Sequence, residues 1–234
     1  MVIGKGLISI TFQLKYGHDS SFLIFASGVS NSKCTDENQY NRERKLLQET
    51  IIKYPDAHFV YFSTCSVYDT SLSSSRYVIH KLEMENIVSS NATTFSIFRV
   101  SNLVGQSSNP NTMINFFINH IKTGQHFEVW KNTNRNLLDV EDMALLVNSI
   151  LENKYKINSI INIAHKVSYS TPEIVNLISE YCGKSGNYTV VNKGSSYQID
   201  LSEINEFIMK LPSEALGKNY LSFLLNKYYA VFKV

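Results

Sequence analysis

The chain has 234 residues, 44 % of them hydrophobic, enough for one domain or for one large domain with a small companion. With 22 basic against 20 acidic residues its formal charge is only +2, and no basic stripe marks a nucleic-acid or anionic-membrane surface. Three scattered cysteines, Cys34, Cys65 and Cys182, form neither a disulfide framework nor a zinc-ligand spacing, so a reducing compartment and no metal site are expected.

The first segment, MVIG, reads as a strand and LISITFQLKYG as the helix after it. The stretch lacks a basic leader and is interrupted by Lys5. No run in the chain approaches the roughly 18 apolar residues of a membrane span, so a soluble cytoplasmic protein is expected. SFLIFAS is a buried-type strand, and ENQYNRERKLLQETIIKYP a helix with Leu46, Leu47, Ile51 and Ile52 at helical spacing, stopped by Pro55. HFVYFST, SRYVIHKLEMENIVSS and FSIFRVSN continue as strand, helix and strand. The second half offers a helix over NTMINFFINHIKTGQ ended by Gly124, a short strand HFEVW, a helix VEDMALLVNSILEN and a strand INSIINIAH. STPEIVNLISEYCGK has Ser170 or Thr171 as cap, Pro172 at its start and Gly183 at its close, and LSFLLNKYYAVF is a final helix. Strand and helix alternate as in an α/β fold with a largely parallel sheet.

Two groups of residues carry chemistry. Gly4, Gly6 and Ser9 form G-x-G-x-x-S directly after the first strand. The first glycine permits a tight bend, the second lets backbone approach a pyrophosphate, and a small third residue permits close helix–strand packing. An acid holding the adenosine ribose is expected about twenty residues on. Asp19 lies before the second strand rather than at its end, so NAD and NADP both stay open. Farther on, Tyr77 and Lys81 stand one helical turn apart. An ammonium favours the phenolate of a nearby tyrosine, and a hydroxyl from Thr64 or Ser63 can hold a substrate carbonyl or alcohol. Tyr-x-x-x-Lys also arises by chance on exposed helices; the order of glycine turn, hydroxyl-ending strand and Tyr–Lys helix gives the pair its meaning.

In that order the sequence resembles the short-chain dehydrogenase/reductases, and more closely their extended branch of nucleotide-sugar epimerases, dehydratases and reductases. The resemblance rests on GKGLIS, FLIFASGVS, VYFSTCSVYD, YVIHK, FRVSNLVG and RNLLDVEDMA, from Gly4 to Ala144. It implies a shortened Rossmann-type doubly wound sheet over residues 1–105 and 136–166, with a smaller substrate domain over 106–135 and 167–234. It implies Tyr77 as acid/base, Thr64 as its hydroxyl partner, and Lys81 both lowering the Tyr77 pKa and binding the nicotinamide ribose. Gly4, Gly6 and Ser9 would hold the NAD or NADP, with Ala26, Ser27 and Gly28 lining it by backbone. Asn102 and Arg135 match positions that hold the sugar nucleotide's phosphates in several members, a task that suits the Arg135 fork. A homodimer through helices beside the Tyr–Lys helix is also implied.

Departures narrow the reading. Members carry two more strands and a helix where LKYGHDSSFLIF runs directly on here, and that segment normally brings the ribose-binding acid. The 4,6-dehydratases follow the catalytic Thr with Asp-Glu, where this chain has Cys65-Ser66, so simple dehydration is disfavoured. The enzymes that make GDP-fucose use a Cys directly before the "IY" or "VY" pair, where Ser66 stands; Cys65 therefore reads as packing. What remains is 4-keto reduction or 4-epimerisation of a nucleotide-activated sugar, in surface polysaccharide synthesis. A non-catalytic relative that binds sugar nucleotide or a partner subunit, and a reductase of small carbonyl compounds, are the alternatives. By its offset His80 faces away from Tyr77 and Lys81; His165 reads as a surface histidine and the acids of DVED as a helix cap.

Overall fold

The computed structural model describes residues 1–107, 109–217 and 219–233. Val2–Ile3 (β1) turns through Gly4 into Leu7–Tyr16 (α1), and Phe22–Phe25 (β2) follows. Glu37–Lys53 (α2), capped by the Asp36 carboxylate on the Asn38 N–H, leads to His58–Thr64 (β3), Arg76–Asn91 (α3) and Phe95–Val100 (β4). Asn102–Val104 (β5), Met113–Thr123 (α4), Phe127–Trp130 (β6) and Asn134–Asp139 (β7) come next. Val140–Glu152 (α5), Ser159–Ile163 (β8), Ser168–Ser170 (β9), Thr171–Tyr181 (α6) and Tyr188–Val191 (β10) follow. The chain closes with Asn205–Ile208 (α7), Ser213–Leu216 (α8) and Tyr220–Tyr229 (α9). The helix signals act as expected: Gly124 ends α4 in the left-handed region, and Ser170 caps α6 in a capping box with Glu173.

The main sheet is parallel, in the order β1-β2-β3-β4-β8. Alternation along its strands divides the core. Ile24, Val60, Phe62, Phe98 and Val100 point to the face covered by α1 and α5. Leu23, Phe25, Phe59, Tyr61, Phe95 and Ile97 point to the face covered by α2 and α3. Helices therefore cover both faces, as a doubly wound sheet requires.

The strand order carries the mark of the shortening. In the full Rossmann order, β1 lies inside the sheet with strands on both sides; here it is an edge. The β1–α1–β2 connection steps the same way across the sheet as β2–α2–β3, yet its helix packs on the opposite face, so the two crossovers have opposite hands. Parallel crossovers are right-handed in about 98 % of cases. A chain that leaves β1 for the far side and returns directly has no other way to keep α1 on its own face. One result is an uncovered outer side of α1, where Ile10 is 70 % and Leu14 98 % exposed.

A second core lies beyond the carboxyl ends of these strands. β7 pairs with β5 in parallel and β9 antiparallel, and β6 pairs with β10. With α4, α6 and α9 they bury Phe117, Ile121, Ile174, Ile178, Leu221 and Leu224. None of the described helices is long and apolar enough to cross a membrane.

Candidate active site

The glycine turn is built as the motif requires. Gly4 has φ +139°, and a Cβ there would lie 2.3 Å from the Ala26 carbonyl oxygen and 3.2 Å from Ser9 Cβ, so only glycine fits. Ser9 is buried and donates to the Gly6 carbonyl at 2.8 Å. Gly6 caps α1 without a side-chain bond, and a Cβ on it would meet nothing within 4 Å. Free N–H groups and the positive end of the helix dipole thus face open space, which suits a pyrophosphate. Next door, the Ala26 N–H donates to the Ile3 carbonyl at 2.8 Å, and Arg42 clasps Ser27 through its hydroxyl (3.0 Å) and carbonyl (2.8 Å). Asp19 spends its carboxylate on the Ser21 N–H at 2.8 Å and its carbonyl on the Met1 amine.

From Gly28 the row continues into α3. A Cβ on Gly28 would stand 2.6 Å from Lys81 Nζ and 2.9 Å from Glu43 Oε1, so its missing side chain makes room for an ion pair. Lys81 is buried and gives its three donors to Glu43 Oε1 (3.2 Å), Tyr61 OH (3.0 Å) and the Phe62 carbonyl (3.4 Å). Glu43 is wholly buried and also accepts from the Val29 N–H (2.6 Å), Tyr61 OH (2.7 Å) and His80 Nε2 (3.0 Å). Burial alone would raise its pKa; the Lys81 charge, then bonds from His80, Val29 and Tyr61, reverse that and hold it at about 2. Burial first, and then the Glu43 charge, push Tyr61 well above an ordinary phenol, so it stays a neutral donor.

Tyr77 sits one turn before Lys81 on α3, mostly buried among Val29, Cys34, Tyr40 and Val78, with Val67 and Leu72 at the margin. Thr64 ends β3; its oxygen accepts the Ser66 N–H at 3.1 Å, leaving the hydroxyl proton to donate elsewhere. Behind it, Ser63 donates to Glu85 at 2.5 Å, and Arg99 grips Glu85 through two bonds of 2.9 and 2.6 Å. This fastens α3 to β3 and β4. Cys65 packs as expected: its thiol is buried, donates to the Arg99 carbonyl at 3.1 Å, and is pushed up by burial to about 12.

Asn102 and Arg135 lie in the second layer, and both are engaged by the protein. Asn102 donates to the Asn136 carbonyl at 2.9 Å and lines a narrow cleft with Leu7, the first residue of α1. Arg135 reaches Asp69 at 3.5 Å; that buried carboxylate also accepts from Ser71 and from Ser195 at 2.8 Å. Two expectations about histidines need correction. His80 does not face away from the site but shares Glu43 with Lys81, because α2 crosses α3 on that side. His165 is buried rather than at the surface, stacked on Tyr220 at 4.0 Å and bonded to the Ala215 carbonyl at 2.8 Å. Asp139 does cap α5, on the Glu141 N–H at 2.8 Å.

Sequence reasoning passed over Glu43, Tyr61 and Asp69. Glu43 left a trace: it stands on the buried stripe of α2 with Tyr40, Leu47, Thr50 and Ile51, where an acid demands a partner.

Residues 27–164 match the model of the NAD dependent epimerase/dehydratase family. Comparison with curated proteins gives no match. Among solved structures, UDP-glucuronic acid 4-epimerase from Bacillus cereus in complex with NAD superposes with a TM-score of 0.73 at 18% identity, over 96% of this chain and 76% of that one. Pal from Bacillus thuringiensis gives 0.71 at 19% identity, over 97% and 81%. The dTDP-glucose 4,6-dehydratase from Bacillus anthracis in complex with NAD gives 0.66 at 17% identity, over 97% and 80%. At these identities the likeness establishes the fold.

Proposed function

Since the chain belongs to the NAD dependent epimerase/dehydratase family, we propose that it is an NAD(P)-dependent oxidoreductase or epimerase of a nucleotide-activated sugar, acting at one carbonyl or alcohol carbon. The observation that carries this is the continuous row from Gly4 through Ala26 and Gly28 to Lys81, which sets an open helix N-terminus and a Tyr–Lys pair along the same strand ends. Gly4, Gly6 and the first turn of α1 would hold the pyrophosphate, and Lys81 the nicotinamide ribose. When bound, the nicotinamide supplies or takes a hydride.

The chain's own residues move the proton. Thr64 donates its free hydroxyl hydrogen to the substrate oxygen and orients it. Tyr77 gives its proton to that oxygen in reduction and takes it back in oxidation. Lys81, paired with Glu43, places its ammonium one helical turn from Tyr77. Cys65 and Ser66 bring no carboxyl group beside Thr64, which disfavours elimination of water. Residues 106–135 and 167–234 form the sugar side, with Asn102 and Arg135 toward the diphosphate and a role in surface polysaccharide synthesis. Incubating purified protein with NADH and a UDP-linked 4-keto hexose tests this. Loss of the nicotinamide absorbance, abolished in Tyr77→Phe, is expected, and turnover unchanged in that variant sinks it.

A second reading has one observation in its favour: all three Lys81 donors already go to protein acceptors. A relative that binds sugar nucleotide without catalysis would look like this. It predicts binding of UDP-sugar with no dinucleotide binding, which calorimetry separates from the first reading.

A further inference from the structure

His80 stands between the reaction centre and solvent. It is 0% exposed, yet its Nδ1 has no hydrogen-bond partner among the described residues. Its other nitrogen meets Glu43 Oε2 at 3.0 Å, and Glu43 Oε1 meets Lys81. The orphan Nδ1 points to the next carboxylate, Glu83 Oε2, 3.9 Å away and 41% exposed at the surface. From α2, the Glu37 carboxylate also lies within electrostatic reach of the ring. The same helix sets the Tyr40 ring 4.6 Å from the imidazole, and Glu83 is itself flanked by Arg44 at 2.7 Å and Arg76 at 3.7 Å. An imidazole with one nitrogen on a buried carboxylate and the other aimed at an exposed one can pass a proton by taking it at one end and releasing it at the other.

Resting on the reading of Tyr77 and Lys81 as the acid/base pair, we infer that His80 is a positioning and relay residue joining Lys81 to solvent through Glu43 and Glu83, and that the reaction is a net reduction or oxidation. In reduction, the bound dinucleotide would supply the hydride that forms the C–H bond, and Tyr77 gives its proton to the carbonyl oxygen. Lys81 reprotonates the phenolate. His80 Nδ1 takes a proton from Glu83 or from water beside it, and Nε2 then releases its own through Glu43 to restore the Lys81 ammonium. One solvent proton is taken up per dinucleotide oxidised, and alcohol oxidation runs the same path in reverse. An epimerase hands the proton to its tyrosine and takes it back, so it has no need of the path.

Two readouts test this. The first needs no turnover: NMR of ring-15N-histidine protein follows exchange of the His80 N–H with solvent. At least tenfold slower exchange in Glu83→Gln is expected, and equal rates overturn the route. The second uses NADH and a UDP-linked 4-keto hexose, with a pH indicator. His80→Gln, whose amide still donates to Glu43, should lower kcat at least tenfold and raise the solvent deuterium isotope effect. KM for NADH should stay within twofold, and wild type should take up one proton per NADH. His80→Asn serves if His80→Gln does not fold. Wild-type kcat and isotope effect in the variant overturn the proposal. Absence of any NADH oxidation by wild type instead defeats the functional reading, and the exchange measurement still decides the route.

Discussion

Replacing Glu43 by Gln removes one charge from the most buried ion pair of the site while keeping its shape. The carboxylate lies 3.2 Å from Lys81 Nζ and accepts four bonds. Breaking such a pair leaves an uncompensated buried ammonium and typically costs about 3–5 kcal/mol. A second route gives a similar size. The carboxyl is lowered from 4.5 to about 2, and at about 1.4 kcal/mol per tenfold change in acidity that is worth about 3 kcal/mol. The sign follows from the direction: a depressed folded-state pKa contributes fully above the unfolded value of 4.5 and is lost as pH falls toward about 2. Glu43→Gln should therefore lower the urea-derived stability at pH 7 by about 3 kcal/mol, or Tm by roughly 6–12 °C for a chain of this size. The gap to wild type should narrow as both are titrated from pH 4.5 downward. A variant as stable as wild type at neutral pH, or a gap that stays constant with pH, would refute an ionised, paired Glu43.

Gly28→Ala pushes a methyl group to 2.6 Å from Lys81 Nζ and should cost about 1–3 kcal/mol in urea unfolding, with weaker dinucleotide binding. Cys65, its thiol raised to about 12, should resist iodoacetamide at pH 8 in the folded protein and react once unfolded, as mass spectrometry of the labelled peptide would show. Tyr220→Phe loses a 2.6 Å bond to the buried Asp142 and should destabilise by about 1–3 kcal/mol, read as a Tm shift. Leu14→Lys, on the uncovered side of α1, should change stability by no more than about 0.5 kcal/mol.

Much of the architecture could be read from periodicity alone. Strands such as HFVYFST and helices such as VEDMALLVNSILE bury long apolar runs or stripes, and Gly124, Ser170 and Asp139 mark helix ends by local chemistry. The β7, β9 and β10 strands were not legible: NRNLLD is two-thirds polar, SYS is three residues long, and YTVV is half exposed. Neither was the unusual hand of the β1–α1–β2 connection, because local pattern does not say which face a helix takes. In the site, the glycine turn and the Tyr–Lys helix were visible because their spacing is local. The partners of Lys81 were not. Glu43 lies 38 residues earlier in the chain and meets it only when α2 and α3 pack side by side. His80 was misplaced for the same reason, since its offset on α3 says nothing of what the neighbouring helix brings.

The central claim is that this shortened sheet still receives a nicotinamide dinucleotide at the α1 N-terminus. Calorimetric titration of wild type and Gly6→Val with NAD and NADH tests it most directly. Gly6 has φ −88° and open space around its missing Cβ, so valine leaves the fold intact while filling the phosphate position. Saturable wild-type binding, weakened at least tenfold in Gly6→Val with an unchanged Tm, is the expected result. No binding of either dinucleotide by wild type, or equal binding by both proteins, would contradict it.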